Sequence, residues 1–276
     1  MEYKPEDLKM VQKIEVEILQ EIIRVCEENS ILYWVAYGTL IGALRHNGFI
    51  PWDDDIDIGM MRTDYEKFIK IAPKALKKGY TLQHYTTDPK TPTYHAKVRK
   101  DGTQFVEWYT RSMNIHHGIF VDIMPHDLIP EDRAKRKKYR KVGEWKKQLY
   151  FAKTTTETTM ARGSDVWKKT MIRRILHILV IPIPKKVLFK ILDNSLRQYN
   201  NSDSHMCTSR AREVNEFSID DLFPLKKHIF ESIEVNIPAN CDAILWGEYG
   251  DYMKLPPPEK RISHSPYILK FEEELP

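Results

Sequence analysis

The sequence predicts an α/β protein of the α+β kind, in which strands alternate with helices in a first region and a mainly helical, basic region follows. Up to Pro130, apolar runs typical of strands alternate with stretches of helical spacing. Beyond Pro130, Lys and Arg are frequent over 133–147, and basic and apolar blocks alternate over 165–198. We therefore expect two parts, residues 1–130 and residues 131–276.

The first elements follow from side-chain spacing. Residues 7–29 predict a helix, because apolar side chains recur at helical intervals at Val11, Ile14, Ile18, Ile22 and Val25. The apolar run 31–37 predicts a buried strand, and Gly38 and Thr39 then turn the chain into a short helix through Leu44.

The remaining elements of the first region are strands of six or seven residues and one helix. Thr63 to Glu66 has the pattern of a capping box, which predicts a helix to about Lys77. Strands are predicted at Asp55–Met60, Tyr80–Tyr85, Tyr94–Arg99, Thr103–Tyr109 and Gly118–Met124. The second region is predicted to be helical over 133–147, and its tail ends in irregular, Pro-rich sequence.

The composition is that of a globular protein. Of 276 residues, 42% are hydrophobic and 30% charged, which excludes collagen-like, low-complexity and disordered classes. A net charge of +4 does not predict a polyanion-binding protein. The three distant cysteines predict no disulfide framework, and no apolar signal segment begins the chain, so we expect a cytoplasmic location.

Three carboxylates in PWDDDIDI form the most informative feature. On a strand, alternate side chains share a face, so Asp53, Asp55 and Asp57 are expected on one side. Such a row repels itself unless solvent or cations neutralise it, and Mg²⁺ prefers carboxylate and phosphate oxygens. A solvated acidic edge strand is the simpler interpretation of a lone pair of acids.

The context of these acids favours a metal–phosphate site. Gly38 and Thr39 precede them at a predicted helix start, where free N–H groups can hold a phosphate. The later apolar strand GIFVDIMP contributes a further acid, Asp122. Two strands that each present an acid beside a helix start predict a shared site for a divalent cation and a phosphate.

With these residues in place, the chain resembles the nucleotidyltransferase superfamily. More narrowly, GTLIGALRHNGFIPWDDDIDIGM, FVDIMPHD and YGDYMKLPP resemble motifs of the LicD family of bacterial phosphocholine transferases, which is related to the fukutin-type ribitol-phosphate transferases. The resemblance implies a mixed sheet with flanking helices, with the C-terminal motif completing the site.

The resemblance also implies a reaction. Phosphocholine would pass from CDP-choline to a sugar hydroxyl of a lipid-linked teichoic acid or other cell-surface glycan precursor, with Mg²⁺ or Mn²⁺ bound and CMP released. Transfer of ribitol phosphate or glycerol phosphate, or nucleotidyl transfer with release of pyrophosphate, remains an alternative. A third alternative is nucleic-acid binding by residues 133–147, but no binding motif supports it and we expect no nucleic-acid partner.

Roles for the acids follow from the same resemblance. Asp55 and Asp57 would be catalytic metal ligands, and Asp122 would share a metal and help to deprotonate the acceptor hydroxyl. Asp53 would complete the metal site. The family match assigns no role to residues 131–240.

Several other residues are candidate contacts to the donor or the acceptor. Lys97 and Arg99 share a strand face and either bind the donor phosphates or form a solvated face. Arg45 either reaches the phosphates or caps its helix. Trp52, with Trp108, either forms an aromatic cage for a quaternary ammonium or packs the fold. Arg261 is a candidate phosphate or acceptor contact.

The stretch 166–192 surrounds an apolar centre with basic residues. Such a segment either lies on an anionic membrane surface or packs into the helical core, and the sequence favours neither interpretation. The first interpretation predicts a peripheral contact with the inner face of the cell membrane.

Overall fold

A computed structural model describes residues 4–157, 166–209 and 216–271. The helices are α1 Pro5–Glu28, α2 Tyr37–His46, α3 Arg62–Ala75, α4 Arg133–Thr154, α5 Val166–Val180, α6 Lys185–Leu196, α7 Ile219–Leu222 and α8 Cys241–Tyr249. The strands are β1 Trp34–Val35, β2 Asp57–Met61, β3 Tyr80–Gln83, β4 Ala96–Lys100, β5 Gln104–Val106, β6 Phe120–Leu128, β7 Met206–Ser209, β8 Glu216–Ser218, β9 Lys226–Phe230, β10 Ile233–Ile237 and β11 Ile268–Lys270.

The central sheet has seven strands and is mixed. Its main order is β1-β2-β6-β4-β3, and β7 pairs with β6 and β8 with β7. Strands β2 and β6 are parallel, whereas the other paired neighbours in this sheet are antiparallel. This mixed sheet with flanking helices confirms the predicted α/β (α+β) fold class.

The N-terminal helix supplies one wall of the main core. In α1, Val11, Ile18 and Ile22 are fully buried, as their helical spacing predicted. They belong to one apolar cluster with Phe68 of α3 and Ile123 of β6. Helices α1 and α3 thus pack over the apolar side chains of the sheet. The acids described below lie at the edge of this core.

Several element boundaries differ from the prediction. Strand β1 is only two residues long because the chain enters α2 at Tyr37, whose φ of 52° ends the extended conformation. The predicted capping box at Thr63 is wrong: α3 begins at Arg62, and its N-cap residue Met61 makes no side-chain cap hydrogen bond. Strand β6 is longer than predicted because its end pairs with β7.

Strands from beyond residue 130 join the first region. Strand β7 extends the central sheet at the end of β6, and β11 pairs with β5 near the C-terminus. The division at residue 130 therefore stays a prediction, and the helical character of the second region is concentrated in α4, α5 and α6. The sequence did not predict the five strands that follow these helices.

Among the described residues, no helix is both long and apolar enough to cross a bilayer.

Candidate active site

A cleft with a volume of about 910 Å³ collects residues from distant parts of the chain. Its acidic side is formed by Asp53 and Asp55, next to Gly38 at the start of α2. The opposite walls come from α4, α5 and α6, and the C-terminal segment around His264 closes the rim. Residues 131–240, to which the family match assigned no role, therefore build much of the cavity.

Sheet register places two of the predicted acids side by side. Asp57 on β2 lies opposite Asp122 on β6, and Asp122 lies opposite Lys97 on β4. Residues that are directly opposite on neighbouring strands point to the same face of the sheet. A polar row therefore crosses three strands at the edge of the core, with a buried cation at one end.

The other two acids precede the strand. Strand β2 begins at Asp57, so Asp53 and Asp55 lie in the connecting loop and not on the predicted strand. Ligand atoms of Asp53, Asp55 and His264 all lie within 4.8 Å of one another. Burial, followed by repulsion from Asp55 and Asp57, raises the pKa of Asp53 to about 8. Asp53 and Asp55 therefore converge through the loop, whereas the predicted single strand face shared with Asp57 is wrong, because β2 begins only at Asp57.

The Gly38–Thr39 turn positions these acids. Thr39 Oγ1 accepts a hydrogen bond of 2.8 Å from the backbone N–H of Asp57, which fixes the first residue of β2. A Cβ atom at position 38 would lie only 2.7 Å from Asp53 Oδ2, so glycine permits the close approach of the carboxylate. Gly38 lines the cavity, which is consistent with its predicted place at a phosphate site.

Asp122 is held as an anion by two neighbours. Lys97 Nζ lies 3.0 Å from Asp122 Oδ1, and His95 Nε2 lies 3.3 Å from the same oxygen. Burial alone would raise the pKa of Asp122, but the charges of Lys97 and His95 and their hydrogen bonds hold that pKa well below its usual range. A carboxylate that holds a proton so weakly is a poor base, so its placement favours a ligand role over the predicted deprotonation of the acceptor.

Lys97 and Arg99 are buried rather than exposed on a phosphate-binding face. Besides Asp122, the Lys97 ammonium contacts the ring of Phe120, with Nζ 3.3 Å from its centroid. Arg99 donates to Gln83 Oε1 at 2.7 Å and to the carbonyl oxygen of Gly118 at 2.6 Å. Both side chains are buried, so the interpretation of a solvated strand face is wrong. Neither side chain lines the cavity. Their placement indicates support of the site from within the sheet.

Asp54, which the sequence analysis left without a role, ties the C-terminal segment to the site. Its carboxylate accepts hydrogen bonds from the backbone N–H groups of His264 at 2.8 Å and Ser265 at 3.1 Å. His264 Nδ1 lies 3.1 Å from the same carboxylate and 3.6 Å from Asp55. The hydrogen bond to Asp54, with the negative charge of Asp55, raises the pKa of His264 to about 9. The available signal for Asp54 in the sequence was the run of three Asp residues, because an extended chain turns the middle side chain away from the other two.

Arg45 and Trp52 line the cavity, whereas Trp108 does not. Arg45 lines the cavity and donates to the carbonyl oxygen of Tyr252 at 2.5 Å, so it also anchors the C-terminal motif. Trp52 lines the cavity, and the Arg261 guanidinium lies 5.2 Å from its ring centroid. Trp108 lies elsewhere, against Arg111, whose guanidinium is 3.8 Å from the Trp108 ring centroid. The two tryptophans therefore do not form one cage.

The acidic side of the cavity fits a hard divalent cation. Carboxylate oxygens from Asp53 and Asp55 converge beside Asp57, and their repulsion is large enough to shift the pKa of Asp53. Mg²⁺ and Mn²⁺ prefer such oxygen ligands and leave positions for phosphate oxygens. Positively charged His264 meets part of this negative charge from the C-terminal segment.

The shifted pKa values of Asp53 and His264 predict a contribution to the stability of the cation-free protein that is lost as pH rises from about 4 to about 9. Folded Asp53 holds its proton up to about pH 8, whereas an unfolded Asp loses it near pH 4. Folded His264 holds its proton up to about pH 9, whereas an unfolded His loses it near 6.5. At each of these two groups the folded state binds more protons, so their contribution to the free energy of unfolding falls as pH rises, whereas buried His84 and His126, with pKa values lowered to about 4, act in the opposite direction below about pH 6.5.

Urea unfolding in the presence of a chelator measures this slope. Asp53→Asn is the matched control, because it removes the larger of the two shifts and should flatten the slope between about pH 5 and pH 8. Mg²⁺ should stabilise the protein more at the alkaline end, where Asp53 has lost its proton. An identical dependence on pH in the wild type and in Asp53→Asn, both with chelator, would contradict the assigned shift of Asp53.

Comparisons with known proteins agree with this geometry. Residues 30–158, which contain all the candidate acids, match the family model described as LicD/FKTN/FKRP, nucleotidyltransferase domain. The chain is 26% identical over 264 residues to the lipopolysaccharide cholinephosphotransferase LicD of Haemophilus influenzae, which covers 93% of this chain and 95% of that protein.

Two mammalian proteins match shorter segments. The human ribitol 5-phosphate transferase FKRP is 40% identical over 48 residues, which is 17% of this chain and 10% of that protein. The mouse ribitol-5-phosphate transferase FKTN is 30% identical over 78 residues, or 28% of this chain and 16% of that protein. The resemblance seen in the sequence motifs is thus confirmed: residues 30–158 match the LicD/FKTN/FKRP nucleotidyltransferase domain, and the named relatives are transferases of phosphocholine or ribitol phosphate.

Proposed function

We propose that this protein transfers phosphocholine from CDP-choline to a sugar hydroxyl of a cell-surface glycan precursor and releases CMP. The observation that carries the proposal is the convergence of Asp53 and Asp55 on one side of a cavity of about 910 Å³, with Asp57 and Asp122 opposite each other on the adjoining strands. A cluster of this kind suits a cation that holds the phosphates of a CDP-activated donor. A teichoic acid precursor is one such acceptor.

Choline is favoured as the transferred group by the extent of the similarity. The relative named a cholinephosphotransferase matches along 93% of this chain, whereas the human ribitol 5-phosphate transferase matches along 17%. The cavity also carries many aromatic side chains that could face a quaternary ammonium group. These lining residues are Trp52, Tyr94, Tyr109, Tyr150, Phe151, Tyr249 and Tyr252.

In this reaction the acceptor oxygen forms a bond to the phosphorus that bears choline, the bond from that phosphorus to the oxygen of CMP breaks, and the acceptor hydroxyl gives up its proton to the surrounding water. Asp53, Asp55 and Asp57, with Asp122, would hold Mg²⁺ or Mn²⁺, which neutralises charge on the phosphoryl oxygens when bound. Asp122 stays ionised because Lys97 lies 3.0 Å from it. Asp54 keeps the C-terminal segment at the rim through its hydrogen bonds to His264 and Ser265, and thereby shields the reacting atoms from water.

A donor panel tests this proposal. The protein is incubated with Mg²⁺, a glycan acceptor and CDP-choline, CDP-ribitol or CDP-glycerol, and the released nucleotide and the modified acceptor are measured. CMP release with phosphocholine on the acceptor is the expected result. CMP release from CDP-ribitol or CDP-glycerol alone would instead identify an alditol phosphate transferase. Pyrophosphate release from CTP would identify a nucleotidyltransferase.

A further inference from the structure

Helix α5 exposes its apolar side chains instead of burying them. Trp167, Ile178 and Leu179 are 63%, 65% and 64% exposed. The outer face of α5, as we call it, also contains Met171, Ile172 and Ile175, and it continues into exposed Ile181, Val187 and Ile191. Helices on the surface of a protein in water usually show the opposite arrangement, and extended apolar patches mark interaction sites.

The inner side of the same segment is already occupied. Val180, Leu188 and Leu192 are buried in one apolar cluster with Tyr150 of α4. His177 Nδ1 lies 2.7 Å from the carbonyl oxygen of Ala152, so this polar side chain faces inward. Of the two interpretations of 166–192, core packing therefore accounts for the inner side chains and leaves the outer face without an explanation.

The charged residues of the segment that carries the outer face are all basic. Between Val166 and Leu192 the sequence contains no Asp or Glu. Exposed cationic side chains flank the apolar ones: Lys168, Lys169, Arg174, Lys186 and Lys190. An anionic bilayer surface complements this combination, because apolar groups enter the interface while cations meet the headgroups. A second copy of the same face would bring like charges together.

We propose that the outer face of α5, with the exposed apolar residues of α6, docks onto an anionic lipid surface. The helix would lie in the plane of the interface, with its inner side still packed on α4. Arg173, on that inner side, lines the cavity. Docking would therefore place the catalytic cleft next to the membrane, and the outer face would not cover the cleft. This inference does not depend on which group the enzyme transfers.

Sedimentation with vesicles tests the proposal. Wild-type protein should pellet with vesicles of phosphatidylcholine and phosphatidylglycerol, much less with pure phosphatidylcholine, and should be released by salt. The variant Lys168→Gln/Lys169→Gln/Arg174→Gln should partition on the order of 100-fold less, since each cation near the surface is worth about fivefold. Arg173 stays unchanged because it lines the cavity.

A matched variant, Lys4→Gln/Lys9→Gln/Lys13→Gln, removes the same charge at the start of α1 and should pellet almost like the wild type. Ile178→Asn/Leu179→Asn should reduce partitioning on the order of tenfold or more. If that variant melts early, Met171→Gln/Ile175→Gln tests the same face.

Three outcomes would overturn the proposal. The first is wild-type protein that stays in solution with anionic vesicles at low salt. The second is equal loss of pelleting in the α5 and α1 charge variants, since the contact would then depend on overall charge. The third is a wild-type dimer that Ile178→Asn/Leu179→Asn converts to a monomer, since a second copy would then cover the face.

Discussion

Replacing Asp55 with Asn is expected to lower the rate of CMP release on the order of a thousandfold, because a charged oxygen ligand of the proposed cation site is lost. Asp55 lines the cavity, and its ligand atom lies within 4.8 Å of those of Asp53 and His264. Asn keeps the shape of the side chain but removes its charge. The free energy of unfolding should not fall, since Asp55 repels Asp53 in the cation-free protein.

Turnover and urea unfolding are measured on the same preparation in this experiment. Asp220→Asn is the matched control, because the Asp220 side chain is 80% exposed and lies on the short helix α7 outside the cavity. Mg²⁺ should raise the melting temperature of the control but have a smaller effect on Asp55→Asn. Near-normal turnover of Asp55→Asn would contradict the assignment of this acid. A large loss of stability in the chelated variant would contradict the repulsion between the two carboxylates.

The acids of this site could be predicted from the sequence because they are local in the chain. Asp53, Asp55 and Asp57 lie within five residues, and the Gly–Thr turn before them marks the start of a helix. The helical spacing of α1 likewise needed no knowledge of its neighbours, and that helix is where it was predicted. Local pattern therefore identified both the main core and the acidic side of the cavity.

Partners across the sheet and the chain could not be predicted in this way. Asp54 receives its hydrogen bond from a backbone group 210 residues further along the chain. The outer face of α5 was also undetermined, because spacing shows that a helix is apolar on one side but not whether that side is covered. The cavity walls from α4 to α6 have no local motif, since they act through shape and packing.

Lys97 is another residue whose partner could not be predicted from the sequence. Its place on a strand suggested a phosphate contact, whereas the pairing of β4 with β6 gives it a buried partner, Asp122. Replacing Lys97 with Met is expected to lower the free energy of unfolding by roughly 3–5 kcal/mol, because Asp122 would then keep a buried charge without its main counterion. The two residues lie opposite each other on β4 and β6, with Nζ 3.0 Å from Oδ1. Urea unfolding of the chelated protein measures the loss.

A control on the same strand separates this ion pair from a general effect of removing Lys. Lys100 pairs with Glu17 at 3.6 Å, and both side chains reach solvent. Because exposed ion pairs contribute little, Lys100→Met should cost at most about 1 kcal/mol. Equal losses for Lys97→Met and Lys100→Met would contradict a special role of the buried pair.

The double variant Lys97→Met/Asp122→Asn completes the argument, because it removes the uncompensated charge together with its partner. It should be more stable than Lys97→Met alone. The sum of the stability losses in the two single variants should exceed the loss in the double variant by an interaction free energy of about 1–3 kcal/mol. Turnover should stay low in the double variant, since Asp122 is a proposed metal ligand. If instead Lys97 binds the donor phosphates, Lys97→Met would retain its stability and lose donor binding, and the interaction with Asp122 would be close to zero.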